Sequence, residues 1–92
     1  MGKLLKNLQE LETIGELGDW CFYNNDMDIF INYPFKDTFD MVHLYVTPSP
    51  NKPRWDFDGN KEAPTLSPSI RVTAWDNVWH GYMRNGKLET IE

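Results

Sequence analysis

A single cysteine, Cys21, stands among the 92 residues, so no disulfide can close within the chain. Flanked by Trp20 and Phe22, it reads as a small buried apolar residue rather than a reactive thiol. A reducing compartment such as the cytosol is its natural setting. Long hydrophobic runs are also missing. The opening Met1-Gly-Lys-Leu-Leu-Lys6 has a basic flank, but Asn7, Gln9, Glu10 and Glu12 interrupt it, so neither a signal peptide nor a membrane span is expected. Gly2 does not begin a myristoylation signal, because position 6 is Lys rather than Ser or Thr. Basic residues are in the minority, 9 against 14 acids, for a net charge of -5. That balance disfavours general nucleic-acid binding, which needs a basic face to displace counterions. It leaves room for a local arginine cluster holding one phosphate.

Catalytic and metal signatures are absent too. There is no Cys-x-x-Cys and no His-x-x-x-His spacing, so Cys21, His43 and His80 do not form a metal-ligand pattern. A site drawn from distant strands would need Asp40 or Asp76 as a further ligand; no metal and no cofactor is expected. No Gly-x-Ser-x-Gly elbow surrounds any serine and no glycine-rich loop leads into a helix, which argues against a serine hydrolase. Asp56 and Asp58 share a face at i, i+2, as acid–base chemistry requires. Asp-x-Asp-Gly-Asn is, however, the composition of a turn that bonds its own backbone, and the turn reading is preferred.

What is present is aromatic and punctuated. Aromatics make up 14% of the chain, more than a core this small absorbs without some left for an interface. The length makes one domain, 1–92, with a helical N-terminal segment over 1–17 and a β domain over 18–92. A helix is expected over 3–13, where Leu4, Leu5, Leu8 and Leu11 form one stripe, closed by Gly15 and Gly18. After Gly18 the period changes to two. Strands are expected at 19–23 and 27–33 around the turn Asn24-Asn25-Asp26, with Phe30 implying that both faces are partly covered. Pro34 should end the second strand and 36–40 form a polar connection. A third strand follows at 41–47, then a proline loop at 48–53. Strands at 54–57, 70–75, 78–84 and 87–91 complete the chain, with Pro64 and Pro68 bracketing an extended segment at a sheet edge and Asn85-Gly86 marking the last hairpin. The fold class is therefore mainly β (α+β): an N-terminal helix, then six or seven short, mostly antiparallel strands in a small sandwich or partly open barrel.

The stretch from Trp55 to Arg71, with Trp79 to Gly86, concentrates the polar and aromatic chemistry. Thr65, Ser67, Ser69 and Arg71 alternate, so three hydroxyls and a guanidinium can share one face, a set suited to an anion such as a phosphate. Trp55, Trp79 and Tyr82 offer flat rings for a base, His80 stands beside Trp79, and Arg84 adds a second guanidinium. These nine residues are the candidate ligand-binding set. Trp79 and its neighbours are alternatively core, with the Ser-Pro pairs ending an edge strand.

Trp55-Asp-Phe-Asp-Gly-Asn60, Pro64-Thr-Leu-Ser-Pro-Ser-Ile70 and His80-Gly-Tyr-Met-Arg-Asn-Gly86 resemble motifs of a family of small bacteriophage and prophage proteins, a similarity that extends over about 18–91 and includes Gly18-Asp-Trp20. Many of those relatives carry cysteines suggestive of a zinc clasp. Here Tyr33 to His43 contains none, so a closed apolar core or homo-oligomerisation through the N-terminal helix is expected in its place. The resemblance implies a phage-encoded protein acting in the host cytoplasm. The resulting expectation is a non-enzymatic binding protein directed at host defence, sequestering a nucleotide second messenger at the Thr65–Arg71 face. The alternatives are an inhibitor docking its acidic surface on a host defence protein, and a structural protein of the phage particle.

Overall fold

The computed structural model describes residues 2–46 and 54–91. Its elements run α1 (Leu8–Thr13), β1 (Trp20–Tyr23), β2 (Asp28–Phe35), β3 (Thr38–Tyr45), β4 (Asp56–Phe57), β5 (Leu66–Ala74), β6 (Asn77–Arg84) and β7 (Lys87–Thr90). The strands form two antiparallel sheets, β1-β2-β3 and β4-β5-β6-β7. The mainly β architecture read from the sequence is present as two packed sheets rather than a closed barrel. The proline loop at 48–53 and the end of the third strand at Thr47 lie outside the described residues.

Alternation builds the core between the sheets. Trp20, Phe22, Ile29, Ile31, Tyr33 and Leu44 from the first sheet meet Leu66, Ile70, Trp79 and Met83 from the second. Burying one face of each strand is the main favourable term in a domain of this size. The second face of the first sheet is covered in part by the N-terminal segment: Leu5, Leu11 and Cys21 are buried there, with Leu8, Phe30 and Met41 against them.

The helix is shorter than its leucine stripe. Asn7 takes the N-cap and its side chain accepts the Glu10 N–H at 2.9 Å, while the Glu10 carboxylate accepts the Lys6 N–H at 2.9 Å. These two bonds, one to the N-cap side chain and one from the residue before it, set the helix start at Leu8. Residues 3–5 instead run beside β1, with Leu5 donating to the Trp20 carbonyl and Trp20 to that of Lys3. Asp19, buried, fastens this arrangement by accepting from the Lys3 and Glu16 N–H groups.

Pro34 does not end β2. The strand continues to Phe35, with Pro34 opposite Phe39. β1 pairs with β2 only as far as Ile31, so beyond it the proline's missing donor faces an open edge. The turn is then the pair Lys36-Asp37, and β3 begins at Thr38, within the stretch expected to be a polar connection. The closing hairpin follows its sequence signal: Asn85 and Gly86 both have positive φ, 50° and 73°, as the two-residue turn that matches strand twist requires.

Candidate functional site

The site lies on the outer face of the second sheet and follows from register. The turn at Trp75-Asp76 sets Arg71 directly opposite His80 and Val72 opposite Trp79. Paired residues point to the same side, so Trp79 faces the core with Val72 while His80 and Arg71 face outward. Ile91 extends the pairing on the other flank, donating its N–H to the His80 carbonyl at 2.8 Å. His80 thus stands mid-sheet between Arg71 and the exposed Ile91, with Val78 and Tyr82 beside it along β6.

A bulge brings a serine to that histidine. Leu66 pairs with Met83 and Ile70 with Gly81, so three residues of β5, Ser67 to Ser69, oppose Tyr82 alone. Extra residues of this kind leave the ladder and re-aim side chains. Pro68, which has no N–H to contribute, lies inside the bulge, as prolines within sheets do. The Ser69 hydroxyl sits 2.8 Å from His80 Nε2. The Trp55 indole N–H donates to the Ser69 carbonyl at 3.3 Å, holding the bulge from its β4 side. Among the described residues no carboxylate reaches the His80 ring; the histidine paired with an acid is His43, whose Nε2 lies 3.0 Å from Asp28 in the other sheet.

The nine sequence candidates therefore separate. Ser69, Arg71, His80 and Tyr82 gather on one face, and Ser67 is exposed beside them opposite Asp56. Arg84 lies over the Tyr82 ring, 3.8 Å from its centroid, and pairs with Glu89 at 3.0 Å. Those two side chains occupy one another, so a base stacking on that face of Tyr82 would displace Arg84. Trp79 is a core residue, 4% exposed, with its indole N–H donating to Thr90 Oγ1 at 2.9 Å. Thr65 is a turn tie: its hydroxyl oxygen accepts the Asn85 N–H and its own N–H donates to Asp58. Trp55 reaches the site through its bond to the Ser69 backbone.

The other chemical groups of the chain do not join this face. Asp58 accepts from Asn60 and Thr65 N–H groups, the geometry of a turn residue, and Asp56 pairs with Arg54. Cys21 is fully buried and burial pushes its thiol upward in pKa, so it is held as the unreactive thiol. His43 stacks on Phe30 and packs at a tilt against Tyr45. Among the described residues no three or more His, Cys, Asp or Glu side chains are placed to hold one metal ion, and no helix is long and apolar enough to cross a membrane. A cleft of about 470 Å³ lies beside β7, lined by Gly2, Leu17, Gly18, Pro34, Lys87, Leu88 and Thr90. Its lining contains no histidine or carboxylate, and Ser69 and His80 are not in its wall.

Residues 37–91 match the family model described as bacterial ubiquitination-like system serine protease (BubE). The chain belongs to that family. The matched stretch is more than half of the sequence and spans β3 to β7, so it contains Ser69, Arg71, His80 and Tyr82 together. No curated protein and no solved structure matches the chain.

The Ser69–His80 pairing is the feature that sequence reasoning missed. The two residues are eleven apart and carry no local motif. The expected strands at 70–75 and 78–84 put the turn at Asp76-Asn77 and so gave the wrong register; the turn is Trp75-Asp76, which places position 71 across from 80, and a proline at 68 marks the irregularity that brings 69 within reach.

Proposed function

We propose that this protein is a serine peptidase working in a bacterial ubiquitination-like system, with Ser69 as nucleophile and His80 as general base. The observation that carries the reading is the 2.8 Å contact between Ser69 Oγ and His80 Nε2 on an exposed sheet face. It falls inside the stretch that matches a family described as serine proteases. A base must lie about 2.6–3.2 Å from the group it deprotonates, and this pair meets that limit.

The chemistry follows from neutral His80 with Nε2 unprotonated. The Ser69 hydroxyl donates to Nε2, and its oxygen attacks the substrate carbonyl carbon as the proton passes to His80. Collapse of the tetrahedral species breaks the C–N bond, and His80 returns the proton to the leaving amine. Water then attacks the acyl group on Ser69, its proton taken by His80 and handed back to the serine oxygen. The products are two shorter peptides and a regenerated enzyme. The pair lacks an orienting carboxylate among the described residues, and losing that member from a triad costs about 10⁴ in kcat. Slow turnover is therefore expected. The setting also bears on substrate size. Arg71, Thr73, Val78, Arg84 and Glu89 are exposed around the pair, a surface suited to an extended chain more than to a small metabolite, which favours concave pockets.

The test is cleavage of a quenched-fluorescence peptide library. Ser69→Ala and His80→Ala should each lower kcat/KM by about 10², the share left to a pair without its carboxylate, with an unchanged circular dichroism spectrum. Equal cleavage by the Ser69→Ala protein would sink the assignment.

A second reading, a non-enzymatic phage-encoded protein that sequesters a nucleotide messenger, is favoured by one observation: Arg71 stands beside two serines with no carboxylate partner among the described residues. Calorimetry against cyclic and linear nucleotides separates it from the peptidase, which predicts no heat.

A further inference from the structure

Of the three arginines, Arg54 pairs with Asp56 and Arg84 with Glu89. Arg71 is exposed and has no carboxylate partner among the described residues. It is also the arginine placed directly across the ladder from His80. In a chain of net charge -5, where Lys3, Lys36 and Lys61 are paired as well, the uncompensated guanidinium is the one beside the nucleophile. Guanidinium takes a carboxylate through two parallel N–H bonds.

Resting on the peptidase reading, we infer that Arg71 is a carboxylate-binding subsite that receives the C-terminal carboxylate of the substrate. The position sets how far that carboxylate stands from the cut. Paired residues of antiparallel strands lie about 4.5–5.5 Å apart at Cα, and an extended chain advances about 3.3 Å per residue. Arg71 is two positions beyond Ser69 on β5, about 6.6 Å along an extended strand, so a carboxylate held by Arg71 lies one or two residues beyond a carbonyl held at Ser69. The leaving group is a free amino acid or a dipeptide: the C–N bond breaks, His80 protonates the departing amine, and water completes hydrolysis of the acyl group on Ser69. The protein trims C-terminal residues from an extended tail. The exposed Val78 on β6 and Ile91 just past the end of β7 flank His80 and offer apolar contacts to the chain that remains.

The experiment uses the full chain and one randomised hexapeptide library prepared in two forms, with free-acid and with amidated C-termini. Mass spectrometry should show loss of one or two C-terminal residues from the free-acid peptides, with the amides cut about tenfold or more slowly, the scale of one charge-assisted bidentate contact. Arg71→Ala should bring the free-acid rate down to the amide rate, and Arg71→Lys should restore part of the difference. Equal cleavage of both forms would overturn the inference. So would a proportional loss on both forms in Arg71→Ala, which is the behaviour of an oxyanion donor. Preference for amides with an internal Asp or Glu would place a side chain at Arg71 and overturn it too. Reaction of Ser69 with a fluorophosphonate reports the nucleophile separately: labelling without a free-acid preference removes the subsite and leaves the peptidase standing. If neither labelling nor cleavage occurs, the peptidase reading fails, and retention of the two libraries by the Ser69→Ala protein decides the subsite. Free-acid retention that Arg71→Ala abolishes supports it; equal retention overturns it.

Discussion

Gly81→Ala is the substitution that most directly tests how the core holds the site. Gly81 lies between His80 and Tyr82 on β6, and a Cβ there would stand 2.3 Å from the Glu89 carbonyl oxygen and 2.5 and 2.8 Å from two ring carbons of Trp79. Its backbone is outside the left-handed region, so alanine would otherwise be neutral or slightly favourable, by up to about 1 kcal/mol. Neither obstacle yields easily. The Glu89 carbonyl belongs to a paired strand, and the Trp79 ring is buried and tied to Thr90. Shifting β7 costs the usual overpacking penalty of about 1–3 kcal/mol; expelling the Trp79 ring costs about 3–5 kcal/mol. The expected destabilisation is about 3 kcal/mol. A chain of this size has roughly 5–14 kcal/mol in total, so Tm should fall by roughly 12–24 °C. Urea unfolding followed by tryptophan fluorescence measures it. Gly59→Ala is the control: that residue has φ of +89° and nothing within 4 Å of its Cβ position, so only backbone strain of about 1 kcal/mol applies. A loss below about 0.5 kcal/mol in Gly81→Ala would refute the placement of Trp79 against Gly81 and with it the outward assignment of His80.

Two further outcomes concern the frame around the site. Asp19→Ala should cost about 2–4 kcal/mol, because two backbone N–H groups, those of Lys3 and Glu16, lose their acceptor; hydrogen exchange should quicken at both amides, and unchanged exchange would contradict the role. At alkaline pH, burial holds the Cys21 thiol above its ordinary 9.0, and burial with the nearby Asp40 charge holds the Tyr33 phenol above its ordinary 10.0. A raised folded pKa contributes stability in full below the unfolded value and loses it as pH rises through the folded one. The urea midpoint should therefore be flat with respect to these two groups below pH 9 and fall above it, and Cys21→Ala should delay the onset by about one pH unit; an onset unmoved by that variant would count against the buried thiol.

How legible the molecule was in its residues varied with the source of each signal. Local chemistry carried the hairpins: Asn24 to Asp26 and Asn85-Gly86 stand at turns where the chain takes positive φ. Period-two burial carried the core, with Ile29 and Ile31 inside and Phe30 on the second face. The leucine stripe at 4, 5, 8 and 11 misread the first residues as helix, since Leu4 and Leu5 pack while bonded beside β1, and a strand-like segment can bury neighbours that a helical pattern also explains. Pro34 misled for a similar reason: a proline ends a strand only where its missing donor was needed. The candidate face was half legible. Alternation grouped Ser69 with Arg71, but it also enrolled Thr65, which serves a turn; Trp79, named for its flat ring, faces the core, a placement set by cross-strand register that the residue's type does not give.

The most direct measurement is intact-mass analysis after exposure to a fluorophosphonate, comparing the wild-type chain with His80→Ala. One adduct per chain is expected, located at Ser69 by peptide mapping, with labelling slowed by about 10² when His80 is removed. Labelling spread over Ser67 and Ser69 alike, or a rate unchanged in His80→Ala, would contradict the assignment of the pair as nucleophile and base.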